Sequence, residues 1–264
     1  MAKNEAFALA FERLAKAVDG RSWERDPEDQ SDPSTVQAMQ IVLHLPKQDP
    51  PKRHAVLQAA ARAAVAVCLD PRAGADFEDP EHGYFARALD TWYRHRIRKV
   101  TRRARNAAWR NVQDLAGVSV ENTARAFIPS AVSEVPAPIA KLQIAGTDLP
   151  ASQEPEPQPG VPVLYVDASL GMSAGKTAAQ VGHASMLLAG HQSLAWAERW
   201  AAQDFALSLC EVGKEEFEAR CANPGAVTVV DAGFTEIAPN TPTVCALPEP
   251  VLPEPALPEP GLAC

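Results

Sequence analysis

Two proline-rich stretches set the main limits on how this chain of 264 residues can fold. Residues 149–162 read LPASQEPEPQPGVP and residues 247–264 read LPEPVLPEPALPEPGLAC, with five and six of the 24 prolines. Proline fixes φ and lacks an amide donor, so neither stretch can form a helix or a central strand. We therefore expect a linker over 149–160 and a disordered, polyproline-type tail over 249–264.

The linker and the tail leave two segments that are each long enough to bury a core. We expect a helical and partly flexible lead-in at residues 1–36, a first domain at 37–148 and a second domain at 161–248. The spacing of one helical face is followed in the lead-in by Phe7, Ala10, Leu14 and Val18.

Composition excludes several classes of protein. The formal net charge of −8 argues against a chain that is basic throughout, although a local basic segment is still possible. No apolar run approaches the roughly 18 residues that span a membrane, and the first residues lack the pattern of a secretory signal. The five cysteines are scattered and form no CxxC pair, so we expect a reduced, cytoplasmic setting without membrane contact.

The second domain alternates short apolar runs with helical patterns. This alternation predicts an α/β sandwich with about four strands. The predicted strands are 161–166, 205–210, 226–230 and 243–247, and the predicted helices are 173–188, 194–202 and 214–222.

The first domain repeats that order loosely, which predicts an internal duplication. Its matching elements are an apolar run at 39–45, an Ala-rich helix at 55–67, a β-run at 117–120 and a closing strand at 139–144.

A polar stripe marks the helix predicted after the first strand of the second domain. Lys176, Gln180 and His183 are spaced i, i+4 and i+7, so they share one face at about 3.6 residues per turn. Lys176 lies in the first turn, where backbone N–H groups already favour anions. The alternative is a solvated polar stripe, with His183 as a satisfied structural residue.

Asp231 follows the strand predicted at 226–230. A carboxylate at this position is a common catalytic group and equally a common cap of the following turn.

The residues Gly175-Lys176-Thr177 also invite a P-loop interpretation. Only three residues separate Gly171 from Gly175, however, one fewer than G-x-x-x-x-G-K-[ST] requires.

Two segments carry a specific resemblance. GMSAGKTAAQVGHA at 171–184 and DAGFTEIAPNTPTVCAL at 231–247 resemble the signature stretches of the archaeal and eukaryotic type of peptidyl-tRNA hydrolase, M-x-x-G-K-x-A-A-Q-x-x-H-A and D-A-G-R-T-x-I-x-P-x-T-x-T-V-L-A-I. The resemblance implies a four-stranded mixed sheet flanked by helices, often dimeric. The first domain would then be a degenerate copy, and the protein a monomer with an internal pseudo-dimer or a homodimer.

The resemblance also implies hydrolysis of the ester that joins a peptide to the terminal ribose of tRNA, with no metal and no organic cofactor. By motif, the catalytic residues are Lys176, Asp231 and Thr235. The reaction needs an activated water and a stabilised oxyanion. We assign the water to Asp231, the oxyanion or a nearby phosphate to Lys176, and a positioning hydrogen bond to Thr235. The predicted substrate-binding residues are Gln180, His183, Gly175 and Ala232.

Three positions depart from the family pattern. Asp167, Ala174 and Phe234 stand where the family usually has an Arg, a basic residue and an Arg. Residues 161–250 hold 4 Lys+Arg against 10 Asp+Glu, a poor surface for a polyanion. These departures favour a second hypothesis, an inactive relative that binds RNA or protein, whereas the retained motif residues favour the hydrolase.

The first domain has the positive charge that the second lacks. Residues 92–110, WYRHRIRKVTRRARNAAWR, hold eight cations and no acid, with Trp92, Tyr93 and Trp109 at the ends. Arginine forks fit phosphates and aromatic rings stack on unpaired bases. A solvated cationic face is the alternative, and either one helix or a strand followed by a helix fits the pattern. The predicted RNA-binding residues are Arg94, Arg96, Arg98, Lys99, Arg102, Arg103 and Arg105.

The first domain lacks the catalytic set. When Lys52 is aligned with Lys176, Val56 replaces the glutamine and Ala59 replaces the histidine. We therefore predict a catalytically silent copy that supplies an RNA-binding surface.

Overall fold

The computed structural model describes residues 3–19, 26–29, 31–152, 156–233 and 235–249. Phe234 and nearly all of the predicted tail lie outside the described residues. Among the described residues, no helix is both long and apolar enough to cross a membrane.

Two mixed β-sheets, flanked by helices, organise the described chain, so the predicted α/β class is confirmed. The first sheet contains β1 (Gln37–His44), β2 (Lys99–Ala104), β3 (Gly117–Val120), β4 (Ala124–Phe127) and the short β5 (Ser130–Ala131). The second contains β6 (Val163–Asp167), β7 (Ser208–Val212), β8 (Val227–Asp231) and β9 (Thr241–Leu247). The helices are α1 (Lys3–Val18), α2 (Arg53–Cys68), α3 (Gly83–Tyr93), α4 (Asn106–Arg110), α5 (Ala137–Ala140), α6 (Ala174–His191), α7 (Leu194–Ala201) and α8 (Lys214–Cys221).

The two sheets share one topology. Their strand orders are β2-β1-β4-β3 and β7-β6-β9-β8. In both, the central strand pairs in parallel with one neighbour and antiparallel with the other, and the last pair is antiparallel. By this correspondence β6 matches β1, β7 matches β2, and α6 matches α2.

Helices α2 and α6 pack against each other in the main core. Arg53 at the start of α2 contacts Thr177 near the start of α6, and two turns later Ser185 donates to the Ala61 carbonyl at 2.8 Å. The matching order of these contacts means that the two helices run in the same direction. Their N-termini therefore lie at one end of the molecule.

The lead-in forms helix α1 where its spacing predicts a helix. Ala10 and Leu14 are buried in the main core, and Arg13 donates to the carbonyls of Ala73 and Ala75. After α1, the Asp26 amide donates to the Arg94 carbonyl at 2.8 Å.

The strand predicted at residues 139–144 is wrong. Ala137–Ala140 form the short helix α5, and of the following residues only Gln143 makes an isolated bridge, with Arg103. Pro136 and Pro138 explain the difference, because proline favours a helix start and cannot donate to a sheet ladder. Strand β4 takes the place beside β1 instead.

Candidate active site

The sheet topology brings Lys176 and Asp231 to the same edge. Strands β6 and β8 are both antiparallel to β9, so they point in the same direction. Asp231 is the last residue of β8, and α6 begins seven residues after β6 ends. The first turn of α6, with Lys176, is therefore placed beside the carboxyl end of β8.

A polar cluster surrounds the Asp231 carboxylate. Lys176 forms an ion pair with it and also donates to the Thr235 hydroxyl at 3.0 Å. Gln180 donates through Nε2 to Asp231 Oδ2 at 2.7 Å. The side chains of Lys176 and Asp231 are 11% and 6% exposed, so the pair is largely shielded from water. Four of the predicted site residues thus converge.

The turn after β8 fixes the second carboxylate oxygen. The Gly233 amide donates to Asp231 Oδ1 at 2.8 Å, and Gly233 has a φ of +82°. A Cβ at this position would lie 2.6 Å from the Pro239 nitrogen, so only glycine fits the turn. Ala232, predicted to bind substrate, is exposed in this turn.

Thr243 completes the cluster, although it was not among the predicted site residues. Its hydroxyl lies 2.8 Å from Gln180 Oε1 and is fully buried. Because a carboxylate only accepts, Gln180 must present its NH₂ group to Asp231 and its oxygen to Thr243. The alternation of β9 could have indicated an inward Thr243, but its partner Gln180 is 63 residues away.

Three segments hold the start of α6. Ser173 caps the helix by accepting from the Lys176 amide at 3.1 Å, and its own amide and hydroxyl donate to Glu236 at 2.8 and 2.7 Å. The Gly175 amide donates to Thr147 Oγ1 at 3.1 Å, and a Cβ on Gly175 would lie 2.5 Å from that oxygen. Gly175, predicted to bind substrate, is thus covered by Thr147.

His183 extends the polar stripe to the contact between the two halves of the chain, by which we mean the parts before and after the linker at 149–160. Lys99 Nζ lies 3.4 Å from His183 Nδ1, 2.9 Å from Met186 Sδ and 4.9 Å from the centre of the Trp92 ring. Desolvation lowers the pKa of Lys99 to about 7. Lys99 therefore lies at an internal contact and does not belong to the predicted RNA-binding surface.

Both tryptophans of the basic segment are core residues, which corrects their predicted role in base stacking. Trp92 is fully buried, and Trp109 is 4% exposed and stacks on His44 with ring centres 4.9 Å apart. The segment itself is strand β2 followed by helix α4, one of the two predicted alternatives.

The cations of this segment differ in their partners. Before β2, Arg94 pairs with Asp26 and Asp90, and Arg98 makes two hydrogen bonds to Glu28 at 2.7 and 2.8 Å. Further along, the partners are neutral: Arg102 donates to Gln40 and the Leu142 carbonyl, Arg103 to Gln143, and Arg105 to the Leu45 carbonyl. The uncompensated charge therefore lies toward the carboxyl end of β2.

A cavity of about 440 Å³ opens at the same edge, on the other side of the start of α6. A largely buried ion pair between the two halves lies in its wall: Arg53 Nε to Glu211 Oε2 at 2.8 Å, with side chains 9% and 15% exposed. Asp167 also lines the cavity and caps a turn by accepting from the Ser169 amide at 2.9 Å.

The neighbours of Lys176 and Thr177 are not those of a P-loop. Lys176 pairs with Asp231, and the Thr177 hydroxyl accepts from Arg53 at 3.0 Å. Within the described residues, no group of three or more His, Cys, Asp or Glu side chains could hold a metal ion.

The comparison with protein families gives a match within the second half of the chain. Residues 161–252 match the family model described as Peptidyl-tRNA hydrolase PTH2. This segment is a PTH2-family domain. It covers about a third of the chain and contains every member of the cluster around Asp231. The comparisons with curated proteins and with solved structures gave no match.

Proposed function

We propose that this protein is a peptidyl-tRNA hydrolase, which cleaves the ester between tRNA and a peptide or an N-blocked aminoacyl group. The convergence of Lys176, Gln180 and Thr235 on Asp231 supports the proposal most directly. The cluster lies in a PTH2-family domain and joins an acid to a cation with little exposure to water. Such a pair suits the activation of water beside a developing negative charge.

The hydrogen-bond pattern suggests a role for each group. An ammonium group has three N–H donors, and Lys176 uses two of them on Asp231 and Thr235, so the third can meet the oxyanion. Asp231 takes a proton from water as the oxygen attacks the ester carbonyl. The tetrahedral adduct collapses by breaking the bond to the ribose oxygen, which receives that proton. The products are tRNA with a free hydroxyl and the peptide carboxylic acid, which keeps the second proton of the water and releases it to solvent to become the carboxylate.

We also propose that the two halves descend from one fold and act as an internal pseudo-dimer. Their shared strand order and the packing of α2 on α6 support this. The first half would be the silent copy, since Val56 and Ala59 stand where Gln180 and His183 stand in the second. The residues that we assign to tRNA backbone contact are Arg96, Arg102, Arg103 and Arg105. Arg94 and Arg98 are set aside because carboxylates pair with them, and Lys99 because it lies at an internal contact. A cytoplasmic role in releasing peptidyl-tRNA from stalled translation belongs to the same proposal.

Cleavage of N-acetylaminoacyl-tRNA tests the activity. We expect the wild type to cleave this substrate and Lys176→Ala to lose about 10²–10³-fold in kcat, the usual loss for one oxyanion donor. Lys214→Ala is the matched control, because Lys214 is 68% exposed on α8 and should leave the rate unchanged. Binding of tRNA without cleavage by the wild type would support the inactive-relative hypothesis instead.

A further inference from the structure

Strand β2 of the first half runs along helix α6 of the second. Lys99, at the start of β2, contacts His183 and Met186 in the middle of α6. At the other end of β2, the Arg103 guanidinium packs on Gly146, where a Cβ would lie 3.1 Å from the guanidinium carbon. The next residue, Thr147, accepts from the Gly175 amide in the first turn of α6. Arg103 therefore lies toward the start of α6. The path through Gly146 and Thr147 puts it on the order of 10 Å from the first turn of the helix, since successive Cα atoms are about 3.8 Å apart.

The alternation of β2 points Arg103 toward that helix. In the parallel register, Lys99 and Arg103 pair with Met39 and Leu43, which belong to the core shared with α6. Arg102 pairs with Val42, which belongs to a separate cluster on the opposite face with Trp109. Adjacent arginines thus lie on opposite faces, and Arg103 is on the face of the candidate site.

The PTH2-family domain has little positive charge of its own to offer. Among residues 161–233 and 235–249, Lys214 and Arg220 are paired with carboxylates, and Lys176 is paired with Asp231. Arg199, on α7, is the remaining cation of this segment. Arg103 makes its side-chain hydrogen bond to the neutral Gln143 and, within the described chain, has no carboxylate partner. Its charge is therefore available to an anion.

A similar arrangement occurs with the halves exchanged: edge strand β7 of the second half lies beside the start of α2 in the first. Glu211 on β7, the strand that matches β2, reaches the start of α2 and pairs with Arg53. Glu211 contacts the start of α2 directly, whereas Arg103 is linked to the start of α6 through Gly146 and Thr147. At α2 the acidic residue, Glu211, is already paired with Arg53. Near the start of α6 the residue on the edge strand is a cation, Arg103.

We propose that Arg103 completes the active site from the first half by binding a phosphodiester close to the ester. This inference rests on the proposed hydrolase function and adds the part of the substrate that is recognised. The ester and the nearest phosphate of tRNA are attached to the same terminal nucleoside. A guanidinium toward the start of α6 can therefore hold that phosphate while the carbonyl lies at Lys176 and Asp231. The silent half is retained because it supplies this contact.

Two substrates with the same ester separate this role from a structural one. The first is N-acetylaminoacyl-tRNA, and the second is the N-acetylaminoacyl ester of adenosine, which has no phosphate. We expect Arg103→Gln to raise KM for the tRNA ester about tenfold, to leave the adenosine ester unchanged, and to reduce the salt slope of tRNA binding by about 0.7–0.9 for one lost phosphate contact. Arg103→Lys should retain part of the effect, and the exposed Arg199→Gln should behave as the wild type.

Equal kinetics of Arg103→Gln and the wild type on the tRNA ester would overturn the inference, as would an equal loss on both esters. If the wild type cleaves neither ester, the proposed hydrolase function fails. Direct binding of uncharged tRNA still decides the role of Arg103 in that event: unchanged affinity and salt slope in Arg103→Gln overturn it. Thermal unfolding of both Arg103 variants verifies that they fold.

Discussion

At the scale of single residues, the site is a carboxylate whose neighbours are fixed in turn by other groups. Asp231 is held by Lys176, Gln180 and the Gly233 amide, and Thr243 fixes the orientation of Gln180. The hydrogen bond from Thr243 matters because a Gln180 amide that was free to rotate could present its oxygen, and not its NH₂ group, to the Asp231 carboxylate. The geometry of the candidate site therefore depends on the buried hydroxyl of Thr243.

Thr243→Val tests this dependence. The change keeps the shape of the side chain but leaves Gln180 Oε1 without its buried donor, so the free energy of unfolding should fall by about 1–3 kcal/mol. We also expect a lower kcat with little change in KM, because the substrate contacts remain. Thr243→Ser, which restores the hydroxyl, should recover both quantities; failure of the serine variant to recover kcat would refute the positioning role.

Lys99 makes a prediction about pH. Its pKa is about 7 in the folded protein, against an ordinary 10.5, so unfolding takes up a proton between these pH values. The contribution of this group to the free energy of unfolding should rise as pH increases from about 7 toward 10.5 and stay at its minimum below 7. Urea unfolding of the wild type and Lys99→Met from pH 6 to 9 measures it. The slopes should differ above pH 7, and parallel curves would contradict the assignment.

At the scale of elements, the start of α6 is the part of the fold on which the site depends. Its cap, Ser173, is tied to Glu236 in the loop that carries Thr235, and its first turn is covered by Thr147 from the segment before the linker. The cap therefore has two functions. Its hydroxyl accepts a hydrogen bond from an amide in the first turn of the helix, and its contacts with Glu236 hold the loop beside Lys176.

Two cap variants separate these functions. Ser173→Ala and Ser193→Ala remove the caps of α6 and α7, whose hydroxyls accept amides at 3.1 and 3.2 Å. Each should lower the free energy of unfolding by about 1 kcal/mol. Only Ser173→Ala should also reduce the rate of ester cleavage, because only Ser173 contacts Glu236. An equal effect of both variants on the rate would show that the loop does not need this contact.

At the scale of the whole molecule, two sheets of one topology share a core through α2 and α6. The Arg53–Glu211 ion pair, whose side chains are 9% and 15% exposed, joins the two halves beside the start of α2. The halves should therefore unfold together. The cost of breaking such a pair comes from the charge that is left alone in the interior.

Arg53→Met and Glu211→Met test this coupling. Each single change should lower the free energy of unfolding by about 3–5 kcal/mol, and the double change should recover most of that loss because no buried charge is left alone. Denaturant unfolding followed by tryptophan fluorescence and by circular dichroism measures it. Additive losses, or two separate transitions in the wild type, would contradict a single coupled unit.

Elements with a local signal were predictable from the sequence, whereas contacts between distant residues were not. The apolar run of β6 and the Ala-rich pattern of α6 each lie within one stretch of chain. The sequence pattern predicted Lys99 as a nucleic-acid contact because its packing partners His183 and Met186 lie more than 80 residues away. Thr147 was missed for the same reason, since only the folded chain brings it to Gly175.

In the proposed mechanism, Lys176 and Asp231 act as one unit in ester cleavage. A double-mutant cycle on N-acetylaminoacyl-tRNA, with Lys176→Ala, Asp231→Asn and the double variant, measures this most directly. Each single change should lower kcat by at least about 10²-fold, and the double variant should be no slower than the slower single variant. Fully additive losses, or a wild-type rate in either single variant, would contradict this mechanism.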